Sequence, residues 1–255
     1  MPYVIAMRTI SISNNKGGVG KTTSTVNIAA ALEILGKRVM VIDMDPQAHT
    51  TYHFGLNQED FKFSIFEVLQ GERYYDEVVQ HRGNIDILPA KPNLKDIDFL
   101  PFPAKEFLLK EALADVNDYD YLFIDCPPSL GILTLNALTY TKEIFIPLQC
   151  EFLSFQGMYN LYEGVQMVKK RLNKEIKITG IIGTMYDKKK KSDREIIAET
   201  KDRLPSKLFD TLIRENEPLK VAPSWGKPIF EFNPECSGAE DYMNLAKEIV
   251  ASDQR

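Results

Sequence analysis

Cysteine is scarce in this chain and scattered: Cys126, Cys150 and Cys236 are the only three, and no two form a C-x-x-C pair. An odd, widely spaced set excludes a disulfide scaffold and fits a reducing cytosol. Histidine is as rare, at His49, His53 and His81, without paired metal-ligand spacing. His49 and His53 stand four apart but lack an acidic partner, so solvent-facing or structural roles are expected of them. No apolar run approaches the ~18–20 residues that span a membrane. The opening "MPYVIAMRTISIS" carries no cationic segment ahead of its short apolar run, which argues against a signal peptide. Internal repeats and low-complexity linkers are missing. Positive charge is not in excess either: the formal net charge is −5, so any nucleic-acid contact has to come from a local patch.

What is present is an ordinary soluble composition, 44% hydrophobic and 26% charged, over 255 residues, enough for one large domain. Short apolar runs at 8–13, 38–43, 84–89, 121–125, 143–148 and 176–186 predict strands. Helical patterns fall between them, including 22–35, 104–116, 154–172, 192–203 and 237–250. Several strands are nearly continuous in Ile, Val, Leu and Phe, as a parallel sheet covered on both faces requires. The fold class expected is α/β: a doubly wound, mostly parallel sheet flanked by helices on both faces. No boundary divides the chain, so one domain over 1–255 is expected. Met7 opens the first strand, and the six residues ahead of it read as a loose extension or an upstream start.

The segment "NNKGGVGKTT" follows the first strand and opens the first long helix, the context in which a phosphate loop is credible. Gly17, Gly18 and Gly20 permit tight turns and close backbone approach to phosphate oxygens. The helix N-terminus adds unpaired N–H groups and partial positive charge. Lys21 would reach the β- and γ-phosphates, and the Thr22 hydroxyl would ligate Mg²⁺. The loop from Lys16 through Val19 to Thr23 is thus the expected ATP cradle. Asn15 stands where the strict G-x-x-x-x-G-K-[ST] pattern has its first glycine, and a second lysine, Lys16, lies only five positions before Lys21.

The run K-G-G-x-G-K-T-T resembles the deviant Walker A motif of the ParA/MinD superfamily of P-loop ATPases. That resemblance implies a homodimer around ATP in which Lys16 reaches across to the partner's phosphates, as an arginine finger does in trans. "VMVIDMDPQAHTT" resembles the family's D-x-D-P-Q segment, which implies Asp43 near Mg²⁺ and Asp45 positioning or deprotonating the attacking water. "YLFIDCPPSLG" is similar to its Walker B strand, with Asp125 holding Mg²⁺ through a water and the turn from Cys126 to Gly131 sensing the γ-phosphate. The catalytic set implied is therefore Lys16, Lys21 and Asp45. "VAPSWGKPIFEFNPECSGAEDYMNLAKEI" resembles the tail of ParA/Soj proteins, so the likeness covers the chain after Met7. Asn216 and Met185 are the expected adenine contacts.

Within the superfamily, ParA/Soj dimers bind DNA without sequence preference and are released when a ParB-type partner stimulates hydrolysis. MinD dimers hold membrane through a C-terminal amphipathic helix, and "LAKEIVASDQR" shows no such anchor. Lys188, Lys189, Lys190 and Lys191, with Arg194, form the best DNA patch, suited to salt-sensitive phosphate contacts without base reading. The family commonly has a basic residue after "TLIREN", where this chain has Glu217 and Pro218; Arg214 and Lys220 lie nearby as substitutes. The function implied is segregation or positioning of a chromosome or plasmid by a cytoplasmic, nucleoid-associated ATPase. The alternatives are a ParA-like positioner of a protein cargo that uses the nucleoid as track and, behind it, a MinD-like membrane-associated ATPase. Nitrogenase-reductase-like iron–sulfur proteins share the nucleotide core, but their cysteine arrangement is not matched here. A bacterial tyrosine kinase would carry a tyrosine cluster in its tail, where only Tyr242 stands. A transcription-repressing plasmid ParA would have a helix-turn-helix domain ahead of the phosphate loop, which starts here at residue 16.

Overall fold

A computed structural model describes residues 6–150, 154–204 and 206–253, without the side chains of 154–160. Of the six residues read as a loose extension, 1–5 lie outside this range and Ala6 is exposed. The strands are β1 (Arg8–Ile12), β2 (Val39–Asp43), β3 (Gln80–Arg82), β4 (Ile85–Leu88), β5 (Tyr121–Asp125), β6 (Glu143–Gln149) and β7 (Lys177–Thr184). The helices are α1 (Lys21–Ile34), α2 (His49–His53), α3 (Ile65–Leu69), α4 (Leu108–Ala112) and α5 (Ile132–Tyr140). They continue with α6 (Ser154–Arg171), α7 (Lys191–Arg203), α8 (Glu217–Val221), α9 (Ile229–Phe232) and α10 (Ser237–Ser252).

The seven strands form one sheet in the order β3-β4-β2-β5-β1-β6-β7, parallel except for β3 at the edge. Successive side chains along a strand leave on opposite faces. In β2 and β5, Val39, Val41, Tyr121 and Phe123 enter the core shared with α1 and α10, whereas Met40, Ile42, Leu122 and Ile124 enter the core on the other face. Both faces are dry, which accounts for the unbroken apolar runs. Each fully buried Ile or Leu contributes about 1.5–3 kcal/mol to holding these layers together. In α10, Ala239, Tyr242, Leu245, Ala246 and Ile249 recur at helical spacing on its buried face, and Tyr242 is hydrogen-bonded to Ser24 of α1 at 3.1 Å.

The six expected strands are all present, and most expected helices match within a residue or two. The helix expected over 104–116 is shorter. Ala104 adopts a left-handed conformation (φ 50°), a single 3-10 turn follows, and only Leu108–Ala112 is α-helical. Asn136 of α5 takes the backbone groups there, accepting from Leu109 N at 2.9 Å and donating to Lys105 O at 2.8 Å. The sequence reading also missed β3, a polar edge strand joined to β4 through Gly83 and Asn84; that glycine–asparagine pair between short runs is the hairpin signal that could have found it.

Candidate nucleotide site

Strand register builds the site. Asp43 and Asp125 are direct partners at the ends of β2 and β5, and Ile12, the last residue of β1, is the partner of Asp125 on the other side. The chain leaving β1 therefore arches over two neighbouring carboxylates at a crossover point of the sheet, where open α/β folds bind ligands. Ser13 N donates to Phe145 O at 3.1 Å and Asn14 Nδ2 to Pro147 O at 2.7 Å, tying the loop's start to β6. Thr184 Oγ1 donates to Val19 O at 2.9 Å, tying its end to β7. Gly18 (φ 74°) and Gly20 (φ 89°) take left-handed conformations that a side chain would strain, and Gly20 caps α1.

Lys21 is 8% exposed, and its Nζ curls back to donate to the Lys16 carbonyl at 3.2 Å. Burial lowers its pKa, opposed by the charges of Asp125 and Asp45. Lys16 is half-buried; its N–H donates to Asn14 Oδ1 at 3.0 Å and its Nζ to Gln149 Oε1 at 3.4 Å. Thr22 Oγ1 donates to Asp125 Oδ2 at 2.7 Å. Asp45 is half-buried above the strand ends, with Oδ1 accepting from Gln47 N at 2.9 Å.

Both strand-end carboxylates are raised in pKa. Burial pushes Asp43 up to about 7, with the neighbouring Asp125 adding to it and hydrogen bonds from Thr51 and Asp45 opposing. Burial pushes Asp125 up to about 6, against hydrogen bonds from Thr50 and Thr22 and the charge of Lys21. Two residues the sequence reading passed over do this holding. Thr50 Oγ1 donates to Asp125 Oδ2 at 2.6 Å, and Thr51 gives both its N (2.9 Å) and Oγ1 (2.8 Å) to Asp43 Oδ2. The signal available was a pair of hydroxyl residues just past D-P-Q, in a stretch that has to turn back toward the strand ends. Ala48, left-handed at φ 56°, makes that turn.

The residues present suit a hard cation. Asp125 Oδ1 is buried and has no hydrogen-bond partner, beside a hydroxyl and a second carboxylate, the oxygen donors Mg²⁺ takes. Among the described residues no group of three His, Cys, Asp or Glu could cage a metal unaided. That fits an ion bound by one or two carboxylates together with phosphate and water.

Met185 and Asn216 line one cleft of about 180 Å³ that also includes Gly20 and Thr23. Met185 directly follows β7 in a left-handed conformation (φ 54°); Asn216 caps α8, accepting from Leu219 N at 3.3 Å and donating to Ser237 Oγ at 2.8 Å. Three residues past Met185 the chain enters the lysine run. Lys188, Lys189, Lys190, Lys191 and Arg194 are all exposed at the entry to α7. Lys190 pairs with Glu215 (3.4 Å) and Lys191 with Glu195 (3.3 Å), solvent-exposed contacts that salt and phosphate can compete away. Lys220 shares Glu215 at 3.0 Å. Arg214 is differently placed: it forks onto Asp241 and also reaches Glu240 at 2.6 Å, so its charge is spent inside the chain. Of the two neighbouring histidines, His49 is exposed and His53 is buried.

A loop with left-handed glycines between a strand and a helix, a lysine inside it and two carboxylates beneath define a P-loop nucleotide-binding ATPase. Known proteins agree. A family model described as "AAA domain" matches residues 7–178, and one described as "4Fe-4S iron sulfur cluster binding proteins, NifH/frxC family" matches 108–255. The sporulation initiation inhibitor protein Soj of Bacillus subtilis is 40% identical over 248 residues, covering 95% of this chain and 98% of that one. Cobyrinic acid a,c-diamide synthase from Mycobacterium smegmatis, solved with ADP and magnesium, superposes with a TM-score of 0.83 at 31% identity, over 96% and 94% of the two chains. A plasmid partition protein from Borrelia burgdorferi bound to AMPPNP gives 0.80 at 26%, over 96% and 99%. The chain belongs to the ParA/Soj family of partition ATPases. The iron–sulfur match covers 108–255 and leaves out the phosphate loop; within it Cys126 and Cys150 are buried just past β5 and β6, and Cys236 caps α10.

Proposed function

We propose that this protein is an ATP-dependent, dimerising ATPase that binds DNA without sequence preference in its ATP state and drives partition of a chromosome or plasmid. The observation that carries this reading is the joining of the lysine loop to the nucleotide site. The exposed run from Lys188 to Lys191 leaves the cleft lined by Met185, beside Gly20 and Thr23 of the phosphate loop.

ATP would lie with its phosphates in the loop 16–23 and its base in the cleft of Met185 and Asn216. Lys21 would exchange the Lys16 carbonyl for β- and γ-phosphate oxygens, a better partner for a desolvated ammonium. Thr22 and, through water, Asp125 would hold magnesium with Asp43 beside it; the ion supplies charge neutralisation along the phosphates. Asp45, half-buried and free of the strand-end network except for its N–H on Asp43, would orient the attacking water and take its proton. Lys16 would leave Gln149 and extend to the partner protomer's phosphates, closing the dimer and neutralising charge that develops in the transition state. A ParB-like partner would complete this arrangement and set the rate. Dimerisation doubles the patch of Lys188–Lys191 and Arg194, turning weak phosphate contacts into avidity. Arg214, already neutralised by Asp241 and Glu240, is left out of this surface.

The experiment is binding to nonspecific duplex DNA at two salt concentrations with ATP, ADP and no nucleotide, beside a liposome control. ATP-dependent binding that collapses at higher salt is expected. Liposome recruitment with ATP, or no DNA binding in any state, would overturn the reading.

A further inference from the structure

Helix α2 is a five-residue element with an unusual assignment: consecutive threonines hold the two neighbouring carboxylates. The two hydroxyls are not equivalent. Thr51 Oγ1 donates to Asp43 Oδ2 at 2.8 Å and accepts from Ala90 N at 3.0 Å, so it also knits α2 to the loop after β4. Thr50 Oγ1 makes one contact, to Asp125 Oδ2 at 2.6 Å, and is fully buried. Asp125 Oδ2 also receives Thr22 Oγ1 at 2.7 Å, while Oδ1 is buried without a partner.

The two donors on Oδ2 have different futures. Thr22 is the loop hydroxyl that would turn to magnesium when nucleotide binds. Thr50 is set in α2, whose entry is shaped by left-handed Ala48 and whose exit is clamped by Arg82 Nη1 on Phe54 O and Gly226 O. We propose that Thr50 is a positioning residue for magnesium: its hydroxyl keeps Asp125 Oδ2 fixed after Thr22 leaves, so that Oδ1 stays aimed into the site. Without it the carboxylate would be free to rotate, and the loss would fall on magnesium-dependent affinity and not on the phosphate cradle. Partners that orient a metal-site carboxylate typically change metal affinity 10–100-fold when removed.

This inference rests on the reading of Asp125 as the magnesium-side carboxylate, and the test separates the two. In the full chain, binding of a fluorescent ADP is titrated with MgCl₂ and repeated in EDTA, for the parent, Thr50→Val, Thr50→Ser and Asp125→Asn. Thr50→Val should raise the half-saturating Mg²⁺ concentration about tenfold and leave ADP affinity in EDTA within about twofold. Thr50→Ser, which keeps the hydroxyl, should lie within about twofold of the parent in both. Thr50→Ala gives the same readout should Thr50→Val not fold. A purely structural threonine would lower the melting temperature and leave the Mg²⁺ requirement unmoved; that result overturns the proposal, as does equal loss in the serine and valine variants. If Asp125→Asn also leaves the Mg²⁺ requirement unchanged, the underlying metal reading falls and the proposal with it.

Discussion

Asp43 and Asp125 lie side by side in register on adjacent parallel strands, both inaccessible to water. Such a pair is tolerable because hydroxyl and amide donors surround it, and because Lys21 lies above Asp125.

The pair makes stability pH-dependent. A carboxyl raised in the folded state holds its proton to higher pH than the unfolded chain does, so its contribution is present at low pH and lost as pH rises toward the folded value. For Asp43 and Asp125 the loss runs upward from about pH 4 and is complete a little above 7. The nucleotide-free protein should therefore melt a few degrees lower at pH 8 than at pH 6, on the order of 2–4 °C per kcal/mol for a chain of this size. Asp43→Asn should remove most of that decline. A flat melting temperature across this range in the parent would sink the account.

His53 acts at the other end of the scale. It is 1% exposed, neither ring nitrogen has a partner, and burial together with Arg82 lowers its pKa to about 4. Neutral imidazole is the folded form, so its contribution is held above the ordinary histidine value and lost as pH falls toward 4. His53→Leu removes two unsatisfied polar atoms and should stabilise the chain by about 1 kcal/mol in urea unfolding while flattening its acid limb. Destabilisation by more than about 1 kcal/mol would mean that a hidden partner for the ring exists.

Lys21 and Asp45 should fail differently. Lys21→Ala removes the phosphate-binding ammonium, and equilibrium binding of ATP should be undetectable. Asp45→Ala should bind ATP and hold a dimer on DNA, with hydrolysis down at least about 100-fold. Turnover by that variant near the parent rate, in a phosphate-release assay, would remove Asp45 from the mechanism.

For the basic loop, the readout is the salt slope. Each phosphate contact contributes about 0.9 to the dependence of log affinity on log salt for duplex DNA. Alanine at Lys188, Lys189 and Arg194 together removes these contacts from both protomers of the dimer and should reduce that slope by up to about 5 in the ATP state and leave ATP binding intact. An unchanged slope would show that these side chains face solvent only.

Gly226 tests the clamp behind α2. Its φ is +59°, and an added Cβ would come within 2.5 Å of Gly55 Cα, a backbone atom that cannot step aside. Gly71 has a similar φ of +73° in open space. Gly226→Ala should cost about 2 kcal/mol or more in urea unfolding, and Gly71→Ala about 1 kcal/mol, because only the former adds a clash to the backbone strain. Equal costs would contradict the packing of the two loops.

The sequence by itself determined the parts whose chemistry is local. Unbroken apolar runs mark strands buried on both faces, and glycine, lysine and threonine at their spacing define a phosphate loop wherever a strand feeds a helix. Asp43, Asp45 and Asp125 were legible only through the resemblance of their segments to the family's D-x-D-P-Q and Walker B motifs, since a carboxylate ending a buried strand can equally be structural. Tertiary structure decided which of these groups meet. Register alone makes Asp43 and Asp125 neighbours across a separation of 82 residues, and the turn at Ala48 brings Thr50 and Thr51 onto them. It also placed Met185 and Asn216 in one cleft and drew Arg214 onto Asp241, away from the lysine loop. The physical reason is that a backbone pattern follows from neighbouring residues, whereas a side chain's partner depends on strand order and helix docking, which bring distant segments together only when the whole sheet has formed.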